Sequence, residues 1–225
     1  MGLPELTSRK RSRTCMLQTA SERPSKEARM IFGKRLLAEE IGHGNTENPH
    51  KLLMRLVRKK TGAEVKVTDS LSLENFFVEY TEEEVAAYDL TVLTAIRTQD
   101  VAELKTMHAE GRPMKCSNKF GESLLHMACR RNFMEVAQFL MTVTPIRIRD
   151  DYGRTILHDA AWTCEPNFEL IEMILTKCPD LLYLKDARGF SPLAYARESH
   201  WPAWNKFLKE RTDLIVPNIL LLHPP

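Results

Sequence analysis

A six-residue pattern recurs three times along the 225-residue chain, and its spacing restricts the fold more than any other feature. The three copies read Ser-Leu-Leu-His-Met-Ala, Thr-Ile-Leu-His-Asp-Ala and Ser-Pro-Leu-Ala-Tyr-Ala, and they begin at Ser123, Thr155 and Ser191. A glycine stands two residues before each copy, at Gly121, Gly153 and Gly189. Self-similarity at a period near 33 residues is typical of stacked helical repeats, in which each unit packs only on its neighbours.

The residue types in this pattern agree with a tight turn that leads into a helix. Glycine adopts the positive φ that such a turn requires, and a Ser or Thr side chain accepts a hydrogen bond from a free N–H at a helix start. Pro192 suits the first helical position, where no backbone donor is needed. The leucine and the final alanine of each copy point into the stack, where the small alanine lets neighbouring helices approach closely.

This Gly-x-[Thr/Ser]-x-Leu-His-x-Ala pattern resembles the ankyrin repeat. The resemblance covers residues 84–211 when a degenerate first repeat without the pattern is included. It departs from the family at Leu124 and Ile156, where proline is usual, and at Asn132, where glycine is usual. The resemblance implies an all-α solenoid of about four helix–turn–helix repeats, preceded by a partly disordered basic N-terminal region.

Helical periodicity predicts two helices in each repeat. In the first repeat, Thr81 followed by three glutamates predicts a helix start, because negative charge is favoured at a helix N-terminus. The predicted helix pairs are 85–96 with 101–108, 123–131 with 134–141, 155–163 with 167–176, and 191–198 with 203–211.

Charge and composition divide the chain into four segments. Residues 1–70 carry 15 Lys and Arg against 8 Asp and Glu, whereas the remainder carries 17 against 22. This asymmetry predicts a basic leader in front of an acidic body. The predicted segments are a disordered basic tail at 1–50, a short amphipathic helix and linker at 51–80, ankyrin repeats at 81–211, and a C-terminal apolar tail at 212–225 folded over the last helix.

Residues 51–60 predict a short basic helix with one apolar face, and Gly62 is placed to end it. The apolar face consists of Leu52, Leu53, Leu56 and Val57. Two interpretations stay open. In one, the helix binds an acidic surface such as calmodulin or a membrane; in the other, it packs its apolar face on the first repeat.

His126 and His158 of the pattern could suggest catalysis or metal binding, but the resemblance implies that they belong to the hydrogen-bond network of the turns. The sequence has no HExxH, CxxH or CxxC spacing, no glycine-rich phosphate loop and no nucleophile elbow. The third copy has Ala194 in place of histidine, as expected of a last repeat without a following neighbour. We therefore expect no enzyme activity, no metal, no cofactor and no small-molecule substrate.

In ankyrin domains the usual contact surface is the concave face, formed by turn tips and the exposed side of the inner helices. Carried onto this sequence, the resemblance predicts these partner-binding residues: Arg97, Lys119, Phe120, Glu122, Arg130, Arg131, Asp151, Tyr152, Arg154, Trp162, Arg188 and Phe190. Exposed aromatic side chains beside arginines are typical of interface hot spots, although aromatics at turn tips could instead pack on one another. The expected partner is an extended or helical protein segment with apolar anchors and acidic residues.

These observations predict a noncatalytic protein–protein interaction module that acts as an adaptor, a scaffold or an inhibitor. The alternative is a nuclear transcription co-regulator that uses the basic cluster Arg9–Arg13 for import or nucleic-acid contact; nucleic-acid binding is otherwise not expected. No apolar run is long enough to span a membrane, and no Asn-x-Ser/Thr sequon occurs. We therefore expect an intracellular protein, in the cytoplasm or the nucleus.

Overall fold

The computed structural model describes residues 46–217, and this part of the chain is mainly helical. Its α-helices are α1 (Pro49–Thr61), α2 (Glu82–Ala86), α3 (Leu90–Thr98), α4 (Val101–Ala109), α5 (Leu124–Arg131), α6 (Met134–Val143), α7 (Ile156–Ala161), α8 (Phe168–Lys177) and α9 (Trp201–Glu210). Short 3-10 turns lie at Ser70–Ser72, Pro179–Tyr183, Pro192–Tyr195 and Glu198–His200. Two-residue strands β1 (Thr68–Asp69) and β2 (Leu184–Lys185) pair in parallel. None of the helices within residues 46–217 combines the length and hydropathy that crossing a bilayer requires.

Four helical units stack in chain order, which confirms the predicted all-α repeat solenoid. The units are α3 with α4, α5 with α6, α7 with α8, and the Pro192–Tyr195 turn with α9. The first element of each unit packs on that of the next, from α3 through α5 and α7 to the Pro192–Tyr195 turn. The leucine and the final alanine of every copy are buried in the interfaces between these elements.

Helix α1 closes the far end of the stack. Its apolar residues Leu52, Leu53 and Val57 are fully buried, and the helix packs on α9 and on the Pro192–Tyr195 turn. Asn205 of α9 donates its side-chain amide to the carbonyl of Glu47 at 2.6 Å. The expectation that this helix packs on the first repeat is therefore wrong. Amphipathicity showed that one face is buried, but not which surface buries it.

The ends of α1 follow from its sequence. Asn48 caps the helix by accepting hydrogen bonds from the backbone N–H groups of His50 and Lys51, and Pro49 occupies the first turn, where its missing donor does no harm. Helix α1 thus begins inside the segment 1–50 that was expected to be disordered. Gly62, with φ of 73°, ends the helix where predicted.

Residues 63–80 extend along the stack from the last repeat toward the first and form hydrogen bonds with the repeats. Strand β1 pairs with β2 beside the last repeat, with Thr68 opposite Leu184. Further along, the hydroxyl of Ser70 donates to the carbonyl of Gly153 at 2.7 Å, and the backbone N–H of Val78 donates to the carbonyl of Arg147 at 3.0 Å. This segment, predicted as a linker, therefore contacts two successive repeats.

The first repeat begins differently from the prediction of one helix over 85–96. Thr81 and Glu84 form a reciprocal capping box that starts α2, as the acidic first turn indicated. The helix nevertheless ends at Ala86, and Asp89 starts α3 anew by accepting hydrogen bonds from the N–H groups of Thr91 and Val92. The side-chain cap of Asp89 thus divides the segment that helical periodicity predicted as one helix.

The last repeat also departs from the prediction, since residues 191–198 do not form a helix. Two 3-10 turns stand there instead, and Ala196 between them has extended backbone angles. The carbonyl of Ala196 accepts a hydrogen bond from the Trp201 indole at 3.3 Å, in place of a helical N–H. The apolar tail beyond Pro217 and the basic cluster Arg9–Arg13 lie outside the described residues.

We expect Gly153→Ala to destabilise the fold more than Gly189→Ala. Both glycines have positive φ, of 73° and 86°, so either substitution strains the backbone by about 1–2 kcal/mol. At Gly153 the added methyl group would also overlap Ser70 Oγ, whereas nothing lies within 4 Å at Gly189. Urea unfolding should show that Gly153→Ala lowers the free energy of unfolding by about 1–3 kcal/mol more than Gly189→Ala does.

The double variant Ser70→Gly/Gly153→Ala distinguishes the overlap of the added methyl group with Ser70 Oγ from the backbone strain at positive φ. Removing the hydroxyl should recover part of the loss that Gly153→Ala causes, so that the two substitutions are coupled in a double-mutant cycle. Equal losses for Gly153→Ala and Gly189→Ala, without coupling to Ser70, would contradict the close approach of residues 63–80 to the stack.

Candidate functional site

The turn tips are built around a side-chain oxygen three residues before each glycine. Asp150 Oδ1 accepts hydrogen bonds from the backbone N–H groups of Tyr152 and Arg154, at 3.0 and 2.8 Å. Asn118 and Asp186 make the same pair of bonds in their own turns. Sequence reasoning missed these three residues, although their constant distance from the glycine was a usable signal.

Successive turn tips are also joined to one another. The backbone N–H of Asp151 donates to the carbonyl of Phe120 at 3.0 Å, and that of Ala187 donates to the carbonyl of Tyr152 at 2.8 Å. The predicted turn-tip residues are therefore held in a continuous row. Their spacing along the stack is set by backbone bonds rather than by their own side chains.

The two pattern histidines connect each inner helix to the next turn. His158 Nδ1 accepts a hydrogen bond from the N–H of Thr155 at 3.0 Å, so its Nε2 carries the proton and donates to the carbonyl of Phe190 at 3.1 Å. His126 repeats the arrangement with Ser123 and the carbonyl of Arg154. Both rings are buried. They act as structural links between repeats, as the resemblance implied.

A histidine from outside the repeats serves the turn that lacks one. Ser191 stands where Ser123 and Thr155 stand in the earlier copies, and its hydroxyl lies 3.0 Å from Nδ1 of His50 in α1. Burial lowers the pKa of His50. Helix α1 therefore supplies to the last repeat the ring that Ala194 cannot supply.

The aromatic residues at the turn tips are half-buried, which corrects the prediction that they are exposed. A cation lies over each ring: Lys119 Nζ at 5.1 Å from the Phe120 centroid, and the guanidinium of Arg154 at 5.7 Å from that of Tyr152. Arg188 lies over Phe190 in the same way at 5.4 Å. These rings and cations stabilise the turns through cation–π contacts.

Two of the predicted arginines have carboxylate partners within their own turns. Arg154 donates to Asp150 Oδ2 through Nε at 2.8 Å and through Nη2 at 2.5 Å. Arg188 donates to Asp186 and to the Tyr195 hydroxyl. Their positive charges are consequently compensated in the folded chain.

Arg130 is held by two carboxylates. Its Nη2 contacts Glu122 and lies 3.4 Å from Oδ2 of Asp159. Asp159 is 2% exposed, and within residues 46–217 its Oδ1 has no hydrogen-bond partner. Arg130 thus compensates a buried carboxylate on the next inner helix, which sequence reasoning did not identify because the pattern leaves that position variable.

A basic patch remains on the first two repeats. Arg97 and Arg131 are exposed, and within the described residues neither has a carboxylate within 4 Å. Burial raises the pKa of the nearby Tyr88 phenol to about 12, while the positive charges of Arg130, Arg97 and Arg131 act to lower it. The positive charges of the three arginines therefore act on one half-buried phenol, a residue that was not predicted as part of the surface.

Trp162 lies further along the same row of inner-helix positions, just after α7. Its ring is half-buried and meets the Tyr195 ring edge-on, with centroids 6.3 Å apart. Lys119 and Asp151 are exposed at the turn tips. The predicted residues thus divide into a structural group paired inside the turns and an accessible group around Arg97, Arg131 and Trp162.

The described part of the chain shows no arrangement typical of a metal site. Among residues 46–217, no group of three or more His, Cys, Asp or Glu side chains is placed to hold a metal ion. Cys116, Cys129 and Cys178 are buried free thiols, and burial raises the pKa of Cys116 to about 12.

Comparison with known proteins gives one result for the repeats. Residues 93–186 match the family model for ankyrin repeats, in three copies. No curated protein matches the sequence of the chain.

We expect Arg130→Met to destabilise the fold while Arg131→Met does not. Removing the Arg130 guanidinium leaves the Asp159 carboxylate buried without its cation, at a cost of about 2–3 kcal/mol. The adjacent Arg131 is exposed, so its replacement should change stability by less than about 0.5 kcal/mol. Urea unfolding of both variants measures the difference, and equal stabilities would contradict the role given to Arg130.

We also expect stability to fall as the pH decreases below about 6.5. Burial lowers the pKa of His158, against the raising effects of the Phe190 carbonyl and of the Asp186 and Asp159 charges. The unfolded chain therefore binds a proton before the folded chain does, and folding weakens by up to about 1.4 kcal/mol per pH unit.

The His158→Asn variant tests this assignment. It should be less stable than the wild type at neutral pH, because the link to Phe190 is lost, yet its stability should depend less on pH. His50, whose pKa burial also lowers, accounts for a residual slope. Urea unfolding across this pH range gives both slopes, and identical slopes would refute the assignment to His158.

Proposed function

We propose that this chain, whose residues 93–186 match the family model for ankyrin repeats, is a noncatalytic interaction module whose concave face binds a segment of another protein. Ankyrin repeats generally mediate protein–protein interaction. An adaptor, a scaffold or an inhibitor would each use the domain in this way. The partner is an extended or helical segment that carries acidic residues and apolar anchors.

The uncompensated basic patch is the observation that carries this proposal. Arg97 and Arg131 present positive charge without a carboxylate partner in the described part of the chain, and this charge acts on the Tyr88 phenol. A partner carboxylate placed there would form charge-assisted hydrogen bonds, which are stronger than neutral ones. The acidic part of the partner therefore belongs over the first two repeats.

The apolar part of the partner belongs further along the stack. Trp162 is half-exposed on the row of inner-helix positions, and tryptophan is enriched at interface hot spots because its large ring buries much area at low entropic cost. An anchor on Trp162 and an acidic group near Arg131 would orient the bound segment along the repeats.

The other predicted contact residues have a supporting role in this proposal. Arg154, Arg188 and Glu122 form ion pairs within the domain, and the turn-tip rings lie under cations. Breaking these pairs to bind a partner would lose interactions that the fold already makes. These paired residues determine the shape of the surface, while Arg97, Arg131 and Trp162 provide the affinity for the partner segment.

Nuclear co-regulation is the alternative function, and it rests on the sequence of the basic cluster Arg9–Arg13. That cluster lies outside the described residues. The ankyrin repeats would hold the protein partner in either case.

A selection from random peptides displayed on phage tests the proposal with no partner chosen in advance. Peptides selected on the wild-type domain should be enriched in Asp and Glu together with Leu, Phe or Trp. Isothermal titration calorimetry should then show at least tenfold weaker binding to Arg97→Glu/Arg131→Glu, or about 1.4 kcal/mol, and also to Trp162→Ala.

Matched variants separate the surface from general effects of charge. Lys105→Glu/Lys177→Glu changes the net charge by the same amount at exposed positions of the outer helices, and it should bind the selected peptides as the wild type does. Circular dichroism checks that all variants are folded. Peptides that bind the arginine variant and Trp162→Ala with unchanged affinity would refute the proposed site.

A further inference from the structure

The end of the stack formed by α1 and α9 carries a second basic surface. Six exposed cations lie on these two packed helices and are named here the basic end face: Lys51, Arg55, Arg58, Lys59, Lys206 and Lys209. Residues 46–66 and 200–217 together hold nine Lys and Arg against four Asp and Glu, whereas residues 67–199 hold 14 against 21. Positive charge is therefore concentrated at one end of an acidic body.

The basic end face follows from the way α1 is packed. Because Leu52, Leu53 and Val57 are buried against the last repeat, the helix has no apolar face left for an external partner. The residues that remain on its outer side are mainly cations. Lys51, Arg55 and Lys59 succeed one another at intervals of four, so they form one row along the helix.

Nearby carboxylates compensate part of the positive charge of the basic end face. Arg55 pairs with Glu47 at 2.6 Å, and Arg58 pairs with Glu64 at 2.9 Å. Both pairs are exposed, and such pairs contribute little free energy, so a stronger anion can replace the carboxylate. Lys51, Lys59 and Lys209 have no carboxylate within 4 Å in the described part of the chain.

We propose that the basic end face binds the phosphate backbone of double-stranded nucleic acid without reading its sequence. This adds a second binding surface to the proposed protein-binding one, and it revises the expectation from sequence that nucleic acid is not a partner. Phosphate contacts from Lys and Arg give affinity without base specificity, which is what a row of cations alone can provide.

The absence of apolar anchors favours this partner over the alternatives. Among residues 46–217 the exposed large apolar side chains are Leu71 and Leu90, and neither lies in α1 or α9. A protein interface needs a buried apolar centre, and membrane insertion of a helix needs an apolar face. Binding of single strands relies on exposed aromatic rings for base stacking, and neither helix offers a fully exposed one.

The dimensions of the face suit a duplex. Lys51 and Lys59 are eight residues apart on α1, or about 12 Å along the helix axis. Phosphates of one strand advance by about 3.4 Å along the axis of B-form DNA, so the row matches three or four of them. Helix α9 places Lys206 and Lys209 beside this row, at the usual distance between packed helices, about 8–10 Å.

Fluorescence anisotropy of the full chain with a labelled, mixed-sequence DNA duplex tests the proposal. The wild type should bind with an affinity that falls steeply with salt, with a log–log slope of about −3 or steeper, since each neutralised phosphate contributes about −0.9. The triple variant Lys51→Gln/Lys59→Gln/Lys209→Gln should bind at least tenfold more weakly and show a shallower slope. A second duplex of unrelated sequence should give the same affinity.

The matched control removes three lysines from the repeat stack, in Lys105→Gln/Lys177→Gln/Lys185→Gln, and should bind DNA as the wild type does. Thermal unfolding checks that each variant is folded. Three results would overturn the proposal: no duplex binding by the wild type at low salt, equal loss in both triple variants, or tighter binding to polyglutamate or to anionic lipid vesicles than to the duplex at equal anion concentration.

Discussion

Closure of the last repeat is the constraint on which the rest of this structure depends. Each unit of a stack covers the apolar face of its neighbour, so a stack leaves one apolar face open at each end. Here α1 covers the last one with Leu52, Leu53 and Val57, and His50 completes the hydrogen bonds of Ser191. Without this helix, the core around Trp204 and Leu208 would face water. The repeats alone are therefore not a self-sufficient unit.

The repeating and the variable positions do different physical work. The Asn or Asp before each glycine, the histidines and the backbone bonds between turn tips fix the distance from one repeat to the next. They leave little freedom for side chains at the tips, whose rings and cations are paired locally. The two binding surfaces that we propose therefore use positions outside this scaffold, namely those around Arg97 and Arg131 and on the outer side of α1.

The repeated pattern made the stack predictable, because each copy combines a turn signal, a cap and buried residues at a fixed period. That His158 belongs to the turn network followed from the family resemblance, while the structure identifies its acceptor as the Phe190 carbonyl. Three features did not follow from hydrophobic periodicity. The apolar face of α1 indicated burial but not its location. The break at Asp89 accompanies a local side-chain cap, and the Ala196 carbonyl is bonded to the Trp201 indole five residues further along. The compensation of Arg130 by Asp159 is a contact between two repeats, which a pattern within one repeat does not show.

The position of α1 has a consequence for the order in which the chain folds. Repeat proteins are dominated by local contacts, which allows their units to form one after another as synthesis proceeds. Within residues 46–217 the first helix packs on the last: the bond from Asn205 to Glu47 joins residues 158 positions apart, and that from Lys60 to Thr212 joins residues 152 apart. During synthesis, the apolar face of α1 therefore stays exposed to water until α9 has left the ribosome and can pack on it. The packing of α1 on α9 is therefore completed only after the last repeat has been made.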